Sequence, residues 1–344
     1  MSVLTTKVTR TFRLVALTAA LTGLLALINP VPAAAHVVGT GGSPTNYRTT
    51  VTAIRPALPA VAATVGLGGQ FVRITNLGAA TIVILGYRGE PFLRLSPHLV
   101  EVNQLSGTAA QTGLIPVAPG PGSPAPEPRW VRSSDADSVA WTDARIAPPP
   151  RQSQPASGSW TLPLLVDGQQ VSVVGTRDLM PPPSPWPWVV VLVLLTAAVA
   201  AIGWMRNWQR PMAAVVTGGI LAFVLHVLGT GFAPQQNGPV FGWVSVGLVA
   251  GFALLVGAVS AVSALRASES APDRAVTAGG IVLILAAADI SVLWNSQLPF
   301  PGPGTLDRGL TVISYAAAIG LIIAGAHLVR LARSRRTPVE GMSG

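Results

Sequence analysis

The stretch Trp186–Met205, WPWVVVLVLLTAAVAAIGWM, decides the architecture of this chain. It contains no charged residue, and tryptophan stands close to both of its ends. At about 1.5 Å of rise per residue, a helix of this length matches a membrane hydrocarbon core of roughly 30 Å. Tryptophan is typical of the two membrane interfaces. The stretch is therefore predicted to be the first membrane-spanning helix.

Four more apolar stretches follow, and loops rich in Gly, Pro and charged residues separate them. Together with the first stretch they predict an α-helical bundle of five transmembrane helices at residues 188–331. The composition supports this, because only 10% of the residues are charged, whereas soluble proteins have about 25%. The four later stretches cover residues 211–232, 241–265, 275–295 and 309–331.

The arginines that flank these stretches indicate their orientation. Most of them lie on one side of the predicted bundle, and by the positive-inside rule that side is cytoplasmic. The tail at residues 332–344 is then cytoplasmic, and the N-terminal domain is extracytoplasmic. We expect a multi-pass protein of the plasma membrane. The cytoplasmic set is Arg206, Arg210, Arg266, Arg274, Arg330, Arg333, Arg335 and Arg336, whereas Arg177 and Arg308 lie on the other side.

Residues 1–35 have the order of parts that is typical of a secretory signal peptide. Basic residues come first, followed by the apolar run Leu14–Ile28, a helix-breaking Asn-Pro and three alanines that end at Ala35. Cleavage after Ala35 would make His36 the first residue of the mature protein. The alternative is an uncleaved anchor, which would add a sixth span with the same orientation.

Between His36 and residue 178 the chain changes to short alternations of apolar and polar residues that Gly, Pro and Asn interrupt. A period of two is typical of strands with one buried face, and Asp167-Gly168 suits a tight hairpin turn. We predict an all-β, immunoglobulin-like antiparallel sandwich at residues 36–178, joined to the bundle by a Pro-rich stalk at 179–187. The candidate strands are residues 49–55, 60–65, 70–75, 80–85, 91–95, 99–103, 129–132, 138–142, 160–166 and 170–175.

Short motifs in this region carry a resemblance to a known family. They are Asn46-Tyr47-Arg48, Gly86-Tyr87-x-Gly89-Glu90-Pro91 and Trp141-x-Asp143-x-Arg145-Ile146. Over about residues 36–175 the chain resembles secreted, membrane-anchored β-sandwich proteins of actinobacteria that are found near copper-resistance and copper-chaperone components. The resemblance implies the sandwich fold and a connection with copper.

The last motif departs from the family pattern. Family members typically carry His between and after its Trp, Asp and Arg, and this chain has Thr142, Ala144 and Ala147 at those places. Without these His residues, what the resemblance implies for the motif is a structural role. Trp141 is expected to belong to the core, and Asp143 is expected to form an ion pair with Arg145.

Few residues of the sequence are suited to bind a metal. The chain has no cysteine, which excludes disulfides, thiolate metal sites and cysteine nucleophiles. A mature N-terminal His36 could chelate copper through its α-amine and its imidazole, and such a site needs at least one more nitrogen or a soft ligand. His98 is the only other His before the stalk. His36 and His98 are thus the candidate copper ligands, and the alternative is that both are exposed loop residues.

Asp289 is the single acidic residue inside the predicted spans. A carboxylate at the membrane centre costs about 3 kcal/mol or more, so Asp289 should face the bundle interior and either have a partner or carry a proton. Asp289 and His226 lie at the same depth, about 9 Å from the outer ends of their spans. We predict that they form an intramembrane polar pair without His327. The alternative is that Ser291 or a backbone carbonyl satisfies Asp289 locally.

The sequence contains no complete catalytic or metal-ligand motif. It favours a non-enzymatic integral membrane protein of the cell envelope, connected with copper handling or with the assembly of an envelope complex. Two alternatives stay open: a transporter or channel component with an accessory extracytoplasmic domain, and a scaffold that binds another envelope protein through the Pro-rich segment 116–128. Expected partners are the lipid bilayer and another envelope protein. The net charge of +9 comes mostly from arginine and does not indicate nucleic acid.

Overall fold

The computed structural model describes a large part of the chain. The predicted signal peptide, the candidate ligand His36 and the end of the tail lie outside the described residues, as does most of the segment 116–128. The described ranges are 43–66, 69, 71–115, 127–147, 157–231 and 238–335, with backbone only for 238–243 and 245.

The described residues before the stalk form two antiparallel β-sheets. The strands are β1 Tyr47–Arg55, β2 Val61–Val65, β3 Phe71–Asn76, β4 Ile82–Leu85, β5 Pro91–Ser96, β6 Leu99–Asn103, β7 Trp130–Ser134, β8 Ser138–Thr142, β9 Ser157–Val166 and β10 Gln169–Leu179. The larger sheet has the order β1-β10-β9-β4-β5-β6-β7 and the smaller one the order β2-β3-β8. Neighbouring strands are antiparallel throughout both sheets. The prediction of an antiparallel β region is confirmed.

The alternation in the sequence produces the core of this β region. In β9, Trp160, Leu162 and Leu164 are buried, and the residues between them are exposed or half-buried. Both sheets contribute to one hydrophobic cluster. Phe92 of the larger sheet meets Trp141 of the smaller sheet edge to face, with ring centroids 5.7 Å apart. The buried faces of the two sheets thus share one core.

The strand order differs from the predicted immunoglobulin-like arrangement. An immunoglobulin domain of the constant type divides its strands four and three. Here β9 and β10 are 10 and 11 residues long, and β9 pairs with β4 while β10 pairs with β1. The long hairpin therefore joins the other strands of that layer into one sheet of seven. Its turn is as predicted, since Asp167 and Gly168 have φ angles of +48° and +83°.

The helices are α1 Gly107–Gln111 within the β region and, after the stalk, α2 Trp186–Ala201, α3 Gln209–Gly231, α4 Gly238–Leu265, α5 Ala271–Leu285 and α6 Gly304–Ser334. Among the described residues, four helical segments are long and apolar enough to cross a membrane: Trp186–Trp204, Gln209–Gly231, Val246–Leu265 and Gly304–Ser334. Their length and composition indicate a membrane protein. Helix α6 is the most enclosed of the four and packs against α2, α3 and α5.

The predicted span at 275–295 is not one continuous helix, so the expectation of five spanning helices is confirmed only for four. Helix α5 ends at Leu285, and the chain continues through a turn into a 3-10 helix, Asp289–Leu293. The carbonyl of Ala286 accepts hydrogen bonds from the Asp289 N–H and from the Tyr315 hydroxyl. Since these two bonds involve a tighter turn and a neighbouring helix, they end the α-helical hydrogen-bond pattern at this point.

The β region is attached to the helices at two places. One is the stalk, where residues 180–185 have no regular secondary structure. The other is an antiparallel bridge between Thr45 and Gln297, with N–H···O distances of 2.9 and 2.8 Å. Next to it, the Asn46 side chain donates to the Trp294 carbonyl at 3.3 Å and accepts from the Ser296 N–H at 2.8 Å. The loop before α6 therefore binds the start of the β region and is its second attachment to the helices.

Candidate functional site

A cluster of ionisable side chains lies around His226, near the end of α3 that is closer to the β region. The His226 side chain is only 5% exposed. Its Nδ1 lies 2.6 Å from Asp307 Oδ1, and its Nε2 lies 3.4 Å from Asp289 Oδ2. An ionised carboxylate can only accept hydrogen bonds, so both ring nitrogens carry a hydrogen when both carboxylates are ionised. The two carboxylates thus contact opposite nitrogens of one imidazole ring.

The structure brings together the two residues that were predicted to pair. His226 and Asp289 are in contact although α3 and the 3-10 helix are far apart in sequence. His327 is not part of the cluster, because it stacks on Trp204 with ring centroids 4.1 Å apart. The Ser291 hydroxyl donates to the Ala288 carbonyl, so it does not act as the local partner of Asp289. A functional role of the pair stays a prediction.

Asp307 is the member of the cluster that the sequence pattern did not reveal. The last span was expected to begin at residue 309, which left Asp307 and Arg308 in a loop. In the structure α6 begins at Gly304, and Asp307 is completely buried. The expectation that Asp289 is the single acidic residue inside the spans is therefore wrong. Pro303 followed by an acidic residue within one turn is typical of a helix start and was the available signal.

Arg308 connects the cluster to the loop that carries the β region. It is 8% exposed, and its Nε donates to the Val292 carbonyl at 3.1 Å. A second guanidinium nitrogen donates to the Asn295 carbonyl at 2.8 Å. Since Asn46 bonds the same loop from the β region, residues 292–297 are held from both sides.

Two buried polar atoms near the cluster have no hydrogen-bond partner among the described residues. They are Asp307 Oδ2 and Thr311 Oγ1. The two residues are four positions apart on α6 and therefore lie on the same face of the helix. An unpaired buried carboxylate oxygen is costly, so a proton or a water molecule is required there.

His98, the second candidate copper ligand, lies on the surface of the β region. It lies in the turn between β5 and β6 with a φ of +55°, and its side chain is 84% exposed. Its Nδ1 lies 3.1 Å from Asp137 Oδ2, and its N–H donates to Asp137 Oδ1 at 2.7 Å. The part of the chain that the structure describes contains no group of three or more His, Asp or Glu placed to hold a metal ion. The described residues alone thus do not form a copper site, and the copper role of His36 and His98 stays a prediction.

A titration tests that prediction directly. The mature protein that begins at His36 is expected to bind copper(II) more tightly than the His36→Ala variant, because the variant loses one of two chelating nitrogens at the N-terminus. A His98→Ala variant shows whether this imidazole completes the site. Equal affinity of the mature protein and His36→Ala would contradict a copper site at the N-terminus.

The Trp141-x-Asp143-x-Arg145 motif forms a buried polar network. Asp143 is completely buried and accepts a hydrogen bond from Trp141 Nε1 at 3.0 Å. Arg145 binds both carboxylate oxygens, with distances of 2.9 and 2.6 Å. It also donates to the Leu85 carbonyl at 3.1 Å and lies over the Tyr87 ring. The predicted core residue and ion pair are confirmed.

Two titratable groups beside this network have shifted pKa values. Burial raises the pKa of the Tyr87 hydroxyl, which accepts a hydrogen bond from the Ala144 N–H at 2.9 Å. Burial also acts to raise the pKa of Glu90, but hydrogen bonds from the Thr108 hydroxyl and from backbone N–H groups outweigh it, so that pKa is lowered. The Glu90 carboxylate thereby connects the β4–β5 turn to α1. Both groups serve the β fold.

A scan against models of protein families, a search of curated proteins and a search of solved structures found no match to this chain.

Proposed function

We propose that this chain is a non-enzymatic integral membrane protein of the cell envelope that holds an extracytoplasmic β-domain in a fixed position for assembly with another envelope component. The observation that carries the proposal is the second attachment of the β region. A proline-rich stalk is a semi-rigid spacer that sets the distance of the domain from the membrane, but a single connection does not fix rotation of the domain about it. The contacts of Thr45 and Asn46 with residues 294–297 remove that freedom. The same face of the β region is then always presented to a partner.

The proposed topology has five crossings, one of them through a discontinuous helix. Helix α5 has 15 residues and the following 3-10 helix has 5. At about 1.5 and 2.0 Å per residue they extend over roughly 30 Å, which is the thickness of the hydrocarbon core. This crossing leaves Arg266, Arg274 and Arg330 on one side of the membrane, in agreement with the positive-inside rule.

Reporter fusions test the topology. A reporter fused after Arg336 is expected to be cytoplasmic, and one inserted between residues 233 and 239 is expected to be external. The C-terminal fusion decides between five and four crossings, because the C-terminus moves to the outside if residues 271–293 do not cross. An external C-terminal reporter together with an external loop would contradict the discontinuous crossing.

A disulfide tests the second attachment. Thr45 and Gln297 exchange two backbone hydrogen bonds, and the Cα atoms of such a pair are about 5.5 Å apart, a distance that a disulfide can bridge. The chain has no cysteine of its own. The variant Thr45→Cys/Gln297→Cys is therefore expected to form an intramolecular disulfide in membranes under mild oxidation, detected by a mobility shift that reductant reverses. Each single-cysteine variant is the control, and absence of the bridge in inserted protein would contradict the attachment.

We call the proposed role, in which the fixed β region is presented to another envelope component, the platform role. It requires a partner whose binding depends on this attachment. A photoreactive amino acid at exposed positions of β7, such as Arg132, should give an adduct with another envelope protein in living cells. The disulfide-bridged variant is expected to keep this adduct. A variant with Thr45→Pro and Asn46→Ala removes the two donors that the β region contributes to the attachment, and also the side-chain acceptor of Asn46. It is expected to lose the adduct while remaining inserted in the membrane. An unchanged adduct in that variant, or no adduct from any exposed strand position, would contradict the proposal.

A transporter or channel component is the second candidate function. It is favoured by the ionisable cluster beside a discontinuous helix, which is an arrangement that transporters use for substrate and ion sites. Transport of solutes by the protein reconstituted into liposomes separates this function from the platform role. Asp307→Asn is the matched control, which is expected to be inactive. Copper, which the family resemblance implies, belongs among the solutes tested.

A further inference from the structure

We infer that His226, Asp289 and Asp307 form a proton-binding site within the helical part of the protein. The inference does not rest on the proposed function, because the contacts among these three residues lie within α3, the 3-10 helix and α6.

The balance of charge sets the number of protons that the cluster binds. When the imidazole is neutral, the cluster has a net charge of −1, because Arg308 balances only one of the two carboxylates. Burial of uncompensated charge is costly, and one proton on the imidazole makes the cluster neutral. The sequences of α2, α4 and residues 275–285 of α5 contain no ionisable side chain that could provide the balance instead. The cluster therefore binds one proton.

Arg308 and Tyr315, two polar residues near the cluster, have other partners. Two guanidinium nitrogens of Arg308 donate to the backbone carbonyls of Val292 and Asn295. The Tyr315 hydroxyl donates to the Ala286 carbonyl. Arg308 thus contributes a positive charge, but its hydrogen bonds go to backbone carbonyls. The imidazole is the donor for the hydrogen bonds within the cluster.

The geometry favours a proton over a metal ion. The two carboxylates contact opposite nitrogens of one imidazole ring, at 2.6 and 3.4 Å. A metal ion needs ligands that converge on one point, whereas Nδ1 and Nε2 are directed away from each other. An imidazole between two acceptors can take a proton at Nε2 from a protonated Asp289 and release the Nδ1 hydrogen to Asp307. One proton then moves from one carboxylate to the other, and the ring ends neutral.

The two carboxylates differ in how far the protein encloses them. The Asp289 side chain is 22% exposed, whereas the Asp307 side chain is completely buried. Asp289 is therefore the carboxylate that the protein leaves partly open. At the buried end, Asp307 Oδ2 and Thr311 Oγ1 have no partner among the described residues.

Carbodiimide labelling of the full-length protein in liposomes tests the site. Dicyclohexylcarbodiimide reacts with a protonated carboxyl group: the carboxyl proton moves to the reagent nitrogen, the carboxylate oxygen adds to the central carbon, and the product rearranges to a stable N-acylurea. At about pH 8, wild-type Asp289 and Asp307 should react slowly because the bound proton is on His226. In His226→Gln one carboxyl group must take the proton, so labelling of Asp289 or Asp307 is expected to rise several-fold. Peptide mass spectrometry locates the adduct.

Two controls distinguish a change at the cluster from a general change in carboxyl reactivity. His327→Gln, which changes a His outside the cluster, should label as the wild type does, and Asp273 at the start of α5 is an internal reference. Equal labelling of wild type and folded His226→Gln would overturn the site. Protection that follows sodium concentration at constant pH would also overturn it, because it would assign the cluster to a metal cation.

A second measurement applies even if His226→Gln does not fold. The chain has four His, so ¹⁵N-labelled imidazoles can be assigned by substituting the other three. In the wild type the His226 ring is expected to be doubly protonated at about pH 8, where an unperturbed imidazole is neutral. In Asp307→Asn the charge balance no longer requires the proton, and the ring should become neutral. A ring that is neutral in the wild type, or that stays doubly protonated in Asp307→Asn, would overturn the inference.

Discussion

His226→Ala is expected to lower the free energy of unfolding by about 3–5 kcal/mol, the usual cost of removing one partner from a buried ion pair. The substitution leaves Asp307, which is completely buried, without the nitrogen that lies 2.6 Å away. It also removes the side chain that joins α3 to α6 and to the 3-10 helix. Unfolding of the purified protein in detergent measures the loss, and His327→Ala, at the other end of the helical part, is the matched control.

Double variants show whether the three residues act as a unit. Once His226 is absent, Asp289→Asn and Asp307→Asn remove a charge that already lacks its partner. Each should therefore cost much less in the His226→Ala background than alone, with a coupling energy of about 0.5–3 kcal/mol. Strict additivity of both pairs would show that the contacts in the structure contribute no coupling.

Asp143→Ala is expected to have an effect of similar size in the β region, about 3–5 kcal/mol. Asp143 is the acceptor for both Trp141 Nε1 and the Arg145 guanidinium. Its removal leaves the buried Trp141 Nε1 without an acceptor and the half-buried Arg145 without its counter-charge. Asp143→Asn keeps one acceptor oxygen and should cost less than Asp143→Ala.

An exposed ion pair provides the control for this second experiment. Arg132 and Asp135 contact each other with both side chains largely in solvent, so Asp135→Ala should change the stability little. The measurement is chemical unfolding followed by near-ultraviolet circular dichroism, which reports the packing of the aromatic side chains, Trp141 among them. If Asp143→Ala is no more destabilising than Asp135→Ala, the network does not support the β fold.

Much of the local structure follows from the sequence because it depends on residues close together in the chain. The alternation in β9 and the Asp167-Gly168 turn predict a hairpin, and the structure has that hairpin. The apolar stretches predict spanning helices, since length and hydropathy are sums over consecutive residues. The contact of His226 with Asp289 could be anticipated from their depth, because neighbouring helices align residues of equal depth.

Only the tertiary structure decided the features that depend on contacts between distant segments. The pairing of β9 with β4 produces a sheet of seven strands, and no local pattern records which strands become neighbours. The Tyr315 hydroxyl binds the Ala286 carbonyl where α5 stops, although the apolar pattern continues to residue 295. Asp307 lies 81 residues from His226 and Asn46 lies 248 residues from Trp294. Whether such polar residues face water or a buried partner is set by the packing of whole elements, and periodicity along the chain contains no information about that packing.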